Sequence, residues 1–158
     1  MTRQPELALA LLRLMLGAMF ALHGAQAIFY RGLGPTTAQF KGWHVPMPLL
    51  TAPLVATLEL TGGILIFLGL GARPFAFALA VVMGAAICYA HWGKDFFRGG
   101  MEVPLILLVC ALAIALGGPG KPSFDQMSGE VVGPPQKPQP SGPPPASKRV
   151  AAKKKSGD

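Results

Sequence analysis

From Val55 to Leu70 sixteen residues pass with one charged side chain, Glu59, followed within a helical turn by the adjacent glycines Gly62 and Gly63. Extended upstream to Leu49, the run is long enough to cross a ~30 Å hydrocarbon core at ~1.5 Å per residue. A carboxylate near the middle of such a segment costs about 3 kcal/mol to insert, so it is expected to face a bundle interior and to have a partner there. The rest of the chain must supply other helices for Glu59 to face.

Three further apolar segments do so. Residues 7–29 are interrupted with strong polarity only by Arg13, His23 and Gln26, and residues 75–92 and 101–116 are similarly apolar. Together with 49–70 they predict four spans; the last is slightly short and workable with interfacial ends. Gly71-Ala72-Arg73-Pro74 reads as a tight turn, and 93–100 as a polar loop carrying Lys94, Asp95 and Arg98. Between the first two spans, Pro35 precedes a short helix predicted over Thr37–Trp43, with Phe40 and Trp43 three apart on one side, suited to lie against headgroups or cap the bundle mouth. Ala25-Gln26-Ala27 looks like a signal-peptidase site, but Arg13 would fall inside the apolar core of such a signal, which argues against cleavage. The fold class is therefore all-α: a four-helix transmembrane bundle over residues 1–120, with a short interfacial helix in the first loop and a disordered Pro-rich basic C-terminal tail over 121–158.

The tail explains the charge. The chain is 51% hydrophobic and 13% charged with a net charge of +7, and Lys148, Arg149, Lys153, Lys154 and Lys155 crowd its end. Lacking interleaved aromatics for base stacking, this cluster suits anionic lipid headgroups rather than nucleic acid. The run from Pro135 to Pro145 has PxxP-like spacing, although a solvated linker accounts for it as well. Four spans put both termini on one side. Counting all cations places that side in the cytoplasm of a bacterial-type inner membrane, with Phe29, Tyr30, Trp43, Tyr89, Trp92, Phe96 and Phe97 gathering opposite as an aromatic belt.

Depth along the spans groups the polar residues. Counted from the cytoplasmic ends, Arg13 lies roughly 10 Å in and Glu59 roughly 16 Å in, which predicts an ion pair across the first two helices. His23, His91 and Glu102 fall at roughly 24 to 27 Å, near the opposite interface, and His44 could join them from the loop. Two imidazoles and a carboxylate at one level could hold a metal, relay protons or hydrogen-bond the carbonyls of a quinone-like headgroup; equally, they could be interfacial, solvated groups. No His-x-x-His or similar spacing exists, so no metal site is assigned. Cys88 and Cys110 come out too far apart in depth for a disulfide and read as small core hydrophobes. Gly17, Gly24, Gly62 and Gly63 are expected to let helix backbones approach closely.

Several ordered motifs carry a resemblance. Arg13-Leu-Met-Leu-Gly17, Phe20-Ala-Leu-His-Gly24, Glu59-Leu-Thr-Gly-Gly63, the Gly69–Arg73 turn, Met83 through His91, Glu102-Val-Pro-Leu105 and Gly118-Pro-Gly120 through Ser123-Phe-Asp125 together resemble the DoxX family. The likeness runs from Leu7 to Asp125. It implies a four-helix membrane protein of a family named after a subunit of a thiosulfate:quinone oxidoreductase, with relatives in thiol and oxidative-stress systems and distant relatives that chaperone other membrane proteins without redox chemistry. The family's polar positions correspond to Arg13, His23, Glu59, His91 and Glu102. One departure is Ala27, where many relatives carry a lysine; Arg31 is the candidate to replace it.

Three functions are compatible with these features. The first is a membrane component of a thiol, thiosulfate or quinone-linked redox system, working with a partner protein because the chain has no haem-attachment, iron-sulfur or dinucleotide motif of its own. The cofactor is unknown, with a quinone as the candidate. The second is a membrane scaffold or chaperone whose tail recruits a partner or a second copy. A proton-coupled transporter is weaker, since four spans leave little room for alternating access.

Overall fold

Long apolar segments with few helix breakers, joined by Gly- and Pro-rich connections, leave the backbone no way to satisfy its hydrogen bonds except as helices. A computed structural model, describing residues 4–92, 100–121 and 123, has that form. Helix α1 (Gln4–Ala25) continues through a five-residue π turn, Gln26–Tyr30. Helix α2 (Leu33–Gly42) lies in the first loop, α3 (Pro48–Leu68) returns, α4 (Ala72–Ala86) ends in a second π turn, Ile87–His91, and α5 (Glu102–Gly117) closes the bundle. Contacts run α1 to α3, α3 to α4, α4 to α5 and α5 to α1, a ring of four helices in up-down-up-down order, with α2 against α3.

Three helical stretches, Pro5–Tyr30, Pro48–Leu68 and Ala72–His91, are long and apolar enough to cross a membrane, whereas Glu102–Gly117 is a shorter apolar helix. At ~1.5 Å per residue α5 spans roughly 24 Å, below the ~30 Å of a hydrocarbon core. The loop helix starts four residues earlier than Thr37. Pro35 lies in its first turn, where a missing N–H costs nothing, so the proline opens this helix instead of preceding it. The Phe40 and Trp43 rings sit 5.7 Å apart on it.

Glycine sets the α1–α3 contact. A Cβ on Gly17 would lie on the backbone of Gly63 and Phe67, one on Gly24 on the backbone of Ala56 and Leu60, and one on Gly63 on the backbone of Gly17 and Ala21. Helices this close gain dispersion and weak Cα–H contacts that larger residues would forbid. Gly62 faces the other way, and a Cβ there would come within 3.2 Å of the Leu79 side chain of α4. Between the helices Leu16, Phe20, Ile66, Ala76, Leu79, Ala111 and Ile114 form the buried core.

The end of the bundle holding both described termini is closed. Gly69, at φ +77°, terminates α3 with its N–H bonded to the Leu65 carbonyl at 2.9 Å, and Leu70 bonds the same carbonyl. A Cβ on Gly69 would strike the Arg13 guanidinium and the Ser123 side chain, and both residues are about 5% exposed or less (5% and 4%). Gly120 packs on the backbone of Glu6 and Ala10, Gly118 lies beside the Arg73 guanidinium, and Lys121 reaches Glu6 at 3.9 Å. The bundle's packing thus continues past residue 120 to Ser123, because the small residues after α5 let the exit strand nest against α1. Lys94, Asp95, Phe96, Phe97, Arg98, Phe124, Asp125 and the expected Pro-rich basic tail lie outside the described residues.

Candidate functional site

The glycine contacts fix the α1–α3 register and with it the levels of the polar groups. Gly17 sits between Gly63 and Phe67, so Arg13, one turn earlier, lies level with Gly69, as its contact with that residue confirms. Gly24 sits between Ala56 and Leu60, so His23 lies level with Glu59. Arg13 and Glu59 are thus separated by ten positions of α3, roughly 15 Å along the axis. The ion pair expected between them is corrected. Its physical reason is an offset: depth counted from the ends of apolar segments assumes that both helices begin at one plane, whereas α1 begins farther out and α3 stops at Leu68.

His23 and Glu59 share a second property. On α1, Leu16, Phe20 and Ala27 are 2%, 1% and 6% exposed and point inward at heptad-like spacing, and His23 falls in the same series yet is exposed. On α3, Ala52 and Ile66 are fully buried, and Glu59, seven residues from each, is only half-buried. Both residues occupy inward positions of a bundle that is tight below them and open at their level. Adjacent to the glycine contact, each precedes the residue that touches the other helix, which in an antiparallel pair puts them on one flank.

Arg31 stands over this opening. Its guanidinium is near enough for its charge to act on both His23 and Glu59, and its Nη1 donates to Gln39 Oε1 of α2 at 2.7 Å. Helix α2 is held in turn by the Thr36 hydroxyl, buried and within 3.2 Å of the Ala27 carbonyl in the first π turn and 2.9 Å of Gly32 O. A π turn widens the helix and frees carbonyls for such outside donors. Outside the opening, an open groove of about 580 Å³ runs past Met19, Leu22, His23, Ala25, Gln26, Phe29 and Tyr30.

The second π turn treats His91 similarly. Its Nδ1 lies 3.1 Å from the Ala86 carbonyl, which can only accept, so Nδ1 is the donor there, and Nε2 faces Gly100. Among the described residues no hydrogen bond or ion pair joins His23, His44, His91 and Glu102, and no three His, Cys, Asp or Glu side chains converge as a metal site would need. His23 pairs in level with Glu59 under Arg31; His91 stands at the end of α4; Glu102 lies in the first turn of α5; and His44 is exposed in the turn after α2. Cys88 and Cys110 are free thiols.

Sequence offers Arg31 only as a candidate for the place of a lysine at Ala27; its bond to Gln39 and the Thr36–Ala27 contact depend on where α2 docks and are not legible there. The signal that could have paired His23 with Glu59 was the spacing of Gly17 and Gly24 against Gly63.

An all-α bundle of long apolar helices with ionisable groups at an open end defines an integral membrane protein. The sequence profile of the DoxX family matches residues 8–92, and the chain belongs to that family. It is 32% identical over 118 residues to a Bacillus subtilis (strain 168) protein named "Putative oxidoreductase CatD", covering 75% of this chain and 84% of the relative. It is 30% identical over 131 residues to an uncharacterized protein of Haemophilus influenzae, covering 74% of this chain and 87% of that one. No solved structure matches it.

Proposed function

We propose that this chain is a multi-pass component of the bacterial cytoplasmic membrane, both termini cytoplasmic, that binds a quinone headgroup for a thiol- or thiosulfate-linked redox system. The observation that carries the reading is that His23, exposed, and Glu59, partly buried, lie at one level in positions whose heptad neighbours are buried. Reducing a quinone ring takes two electrons and two protons. The chain has no electron carrier of its own, so the electrons come from a partner protein and its own residues bind the ring and hold protons. His23 and Gln26 are placed to hydrogen-bond ring oxygens, Glu59 to hold a proton inward of them, and Arg31 to keep a charged carboxylate tolerable in that position. His91, with Nδ1 committed to Ala86, offers Nε2 as a second proton acceptor at the same end of the bundle. The 32% identity to a protein whose name contains oxidoreductase supports the same reading.

The test is thiosulfate- or thiol-dependent quinone reduction in membrane vesicles containing the full chain. His23→Ala and His91→Ala are each expected to lower the rate at least tenfold with the protein still inserted and recovered at wild-type level. Unchanged quinone reduction in both variants, together with loss of a co-purifying protein, would instead support a scaffold whose polar groups serve assembly.

A further inference from the structure

Helix α2 is held differently from the helices it rests on. Helix α3 buries five residues and α5 four, whereas of the ten residues of α2 only Thr36 is buried. Its anchor is polar: the Thr36 hydroxyl has the Ala27 carbonyl at 3.2 Å and the Gly32 carbonyl at 2.9 Å, with one proton for the two of them. The other fastening is the bond from Arg31 Nη1 to Gln39 Oε1, which is exposed. Both ends of α2 turn through left-handed backbone. Gly32 precedes it at φ +82°, and His44 and Met47 follow it at φ +58° and +50°. Side chains seldom adopt that conformation, and such strain gathers in segments that switch position. A segment with so little buried apolar surface also opens more easily than the core beside it.

The place where α2 is fastened lies over an ionisable group. The register that sets Gly24 between Ala56 and Leu60 puts Ala27 about one turn nearer the aromatic-rich rim than Glu59. Thr36 therefore docks just outward of the partly buried carboxylate, and Arg31, the other fastening, acts with its charge on Glu59 as well. We propose that α2 is a hinged lid over the rimward approach to Glu59, turning on Gly32 and on the segment from His44 to Met47, and latched by Thr36 on Ala27 and by Arg31 on Gln39. Closed, it limits the approach of water and polar solutes to Glu59; released, it lifts outward and admits them. Both fastenings are hydrogen bonds that water replaces as the helix lifts, so the lid opens without unfolding the bundle. The Phe40 and Trp43 rings pack on each other within the segment and travel with it. The lid governs access to the opening and stands whether or not a quinone is what enters.

The test is the rate at which a membrane-impermeant, anionic methanethiosulfonate modifies the thiol of Glu59→Cys in the full-length protein in nanodiscs, with Cys88→Ala and Cys110→Ala removing the native thiols. Ala38→Cys, exposed on α2, is the reference. With the lid latched, position 59 is expected to react at least about tenfold more slowly than position 38. Thr36→Val keeps the shape and loses the hydroxyl, and is expected to raise the rate at position 59 about fivefold, the shift in opening that one ordinary hydrogen bond gives. Gln39→Ala is expected to raise it about twofold, because its bond is exposed. Neither change alters the rate at position 38. Reaction at 59 as fast as at 38 before either change, or a rate at 59 that neither change moves, would overturn the lid. The assay contains no quinone, so its failure leaves ring binding at His23 standing, and failure of quinone reduction leaves the lid standing. Should Glu59→Cys fail to insert, spin labels on Ala38→Cys and Leu11→Cys decide. Two distance populations, the longer enriched by Thr36→Val, support the lid; a single distance that Thr36→Val leaves unmoved overturns it.

Discussion

The two ends of the bundle are built on opposite rules. At the end holding the described termini, a left-handed glycine, a buried arginine and the strand leaving α5 interlock so that Arg13 and Ser123 are almost fully enclosed. At the other, inward positions carry His23 and Glu59 and remain accessible, and two helices finish in π turns whose carbonyls are met by Thr36 and His91 side chains. The difference teaches where polar groups in such a bundle serve packing and where they are free to serve a ligand. A charged residue alone does not single out a candidate site; the burial of its heptad neighbours against its own exposure does.

The contrast is broken most severely by Gly69→Ala. At φ +77° an alanine adds about 1 kcal/mol of backbone strain, and its Cβ would displace Arg13 and Ser123 for an overpacking cost of about 1–3 kcal/mol more. A total loss near ~3 kcal/mol is expected in thermal unfolding in mild detergent; a loss under ~1 kcal/mol would show that the closed end is not closed. Next comes a double-mutant cycle of Arg13→Gln with Glu59→Gln. Their effects should add to within about 0.5 kcal/mol, because the residues lie at levels roughly 15 Å apart, with Arg13→Gln the larger single loss. Coupling above ~1 kcal/mol would restore the ion pair between them.

Gly100→Ala probes the open end with the same kind of change as Gly69→Ala. Gly100 is also left-handed, at φ +70°, but among the described residues a Cβ there meets nothing nearer than His91 Nε2 at 4.0 Å. Strain alone remains, so about 1 kcal/mol is expected, and the gap between the two glycines measures the packing difference between the ends. The smallest effect is Lys121→Ala. With both side chains exposed at 63% and 42%, its ion pair to Glu6 at 3.9 Å contributes at most about 0.5 kcal/mol, and that contribution should vanish in high salt.

Much of the architecture was readable from periodicity and apolar length, since a run such as Pro48–Leu68 has no other stable backbone solution in lipid. The glycines were readable as packing residues for the same reason that they pack, the lack of a Cβ between helices. What sequence could not supply was the vertical offset between α1 and α3, which is set by the Gly17, Gly24 and Gly63 contacts, not by where apolar residues begin. That offset moved Glu59 from Arg13 to the level of His23. The π turns were equally hidden: Gln26–Tyr30 and Ile87–His91 look helical in composition. Ser123 was counted with the tail because its neighbours are Pro, Gly and Lys, a composition that usually marks solvated chain but here supplies the small residues a close fit against α1 requires.

The contact of Ser123 with Gly69 and Arg13 also bears on how the protein is made. Arg13 and Ser123 lie 110 positions apart in the sequence, so the surroundings of Arg13 are complete only when the segment after α5 has folded back against the first two helices. Enclosure of this arginine therefore waits on a contact that neither α1 nor α3 can make alone.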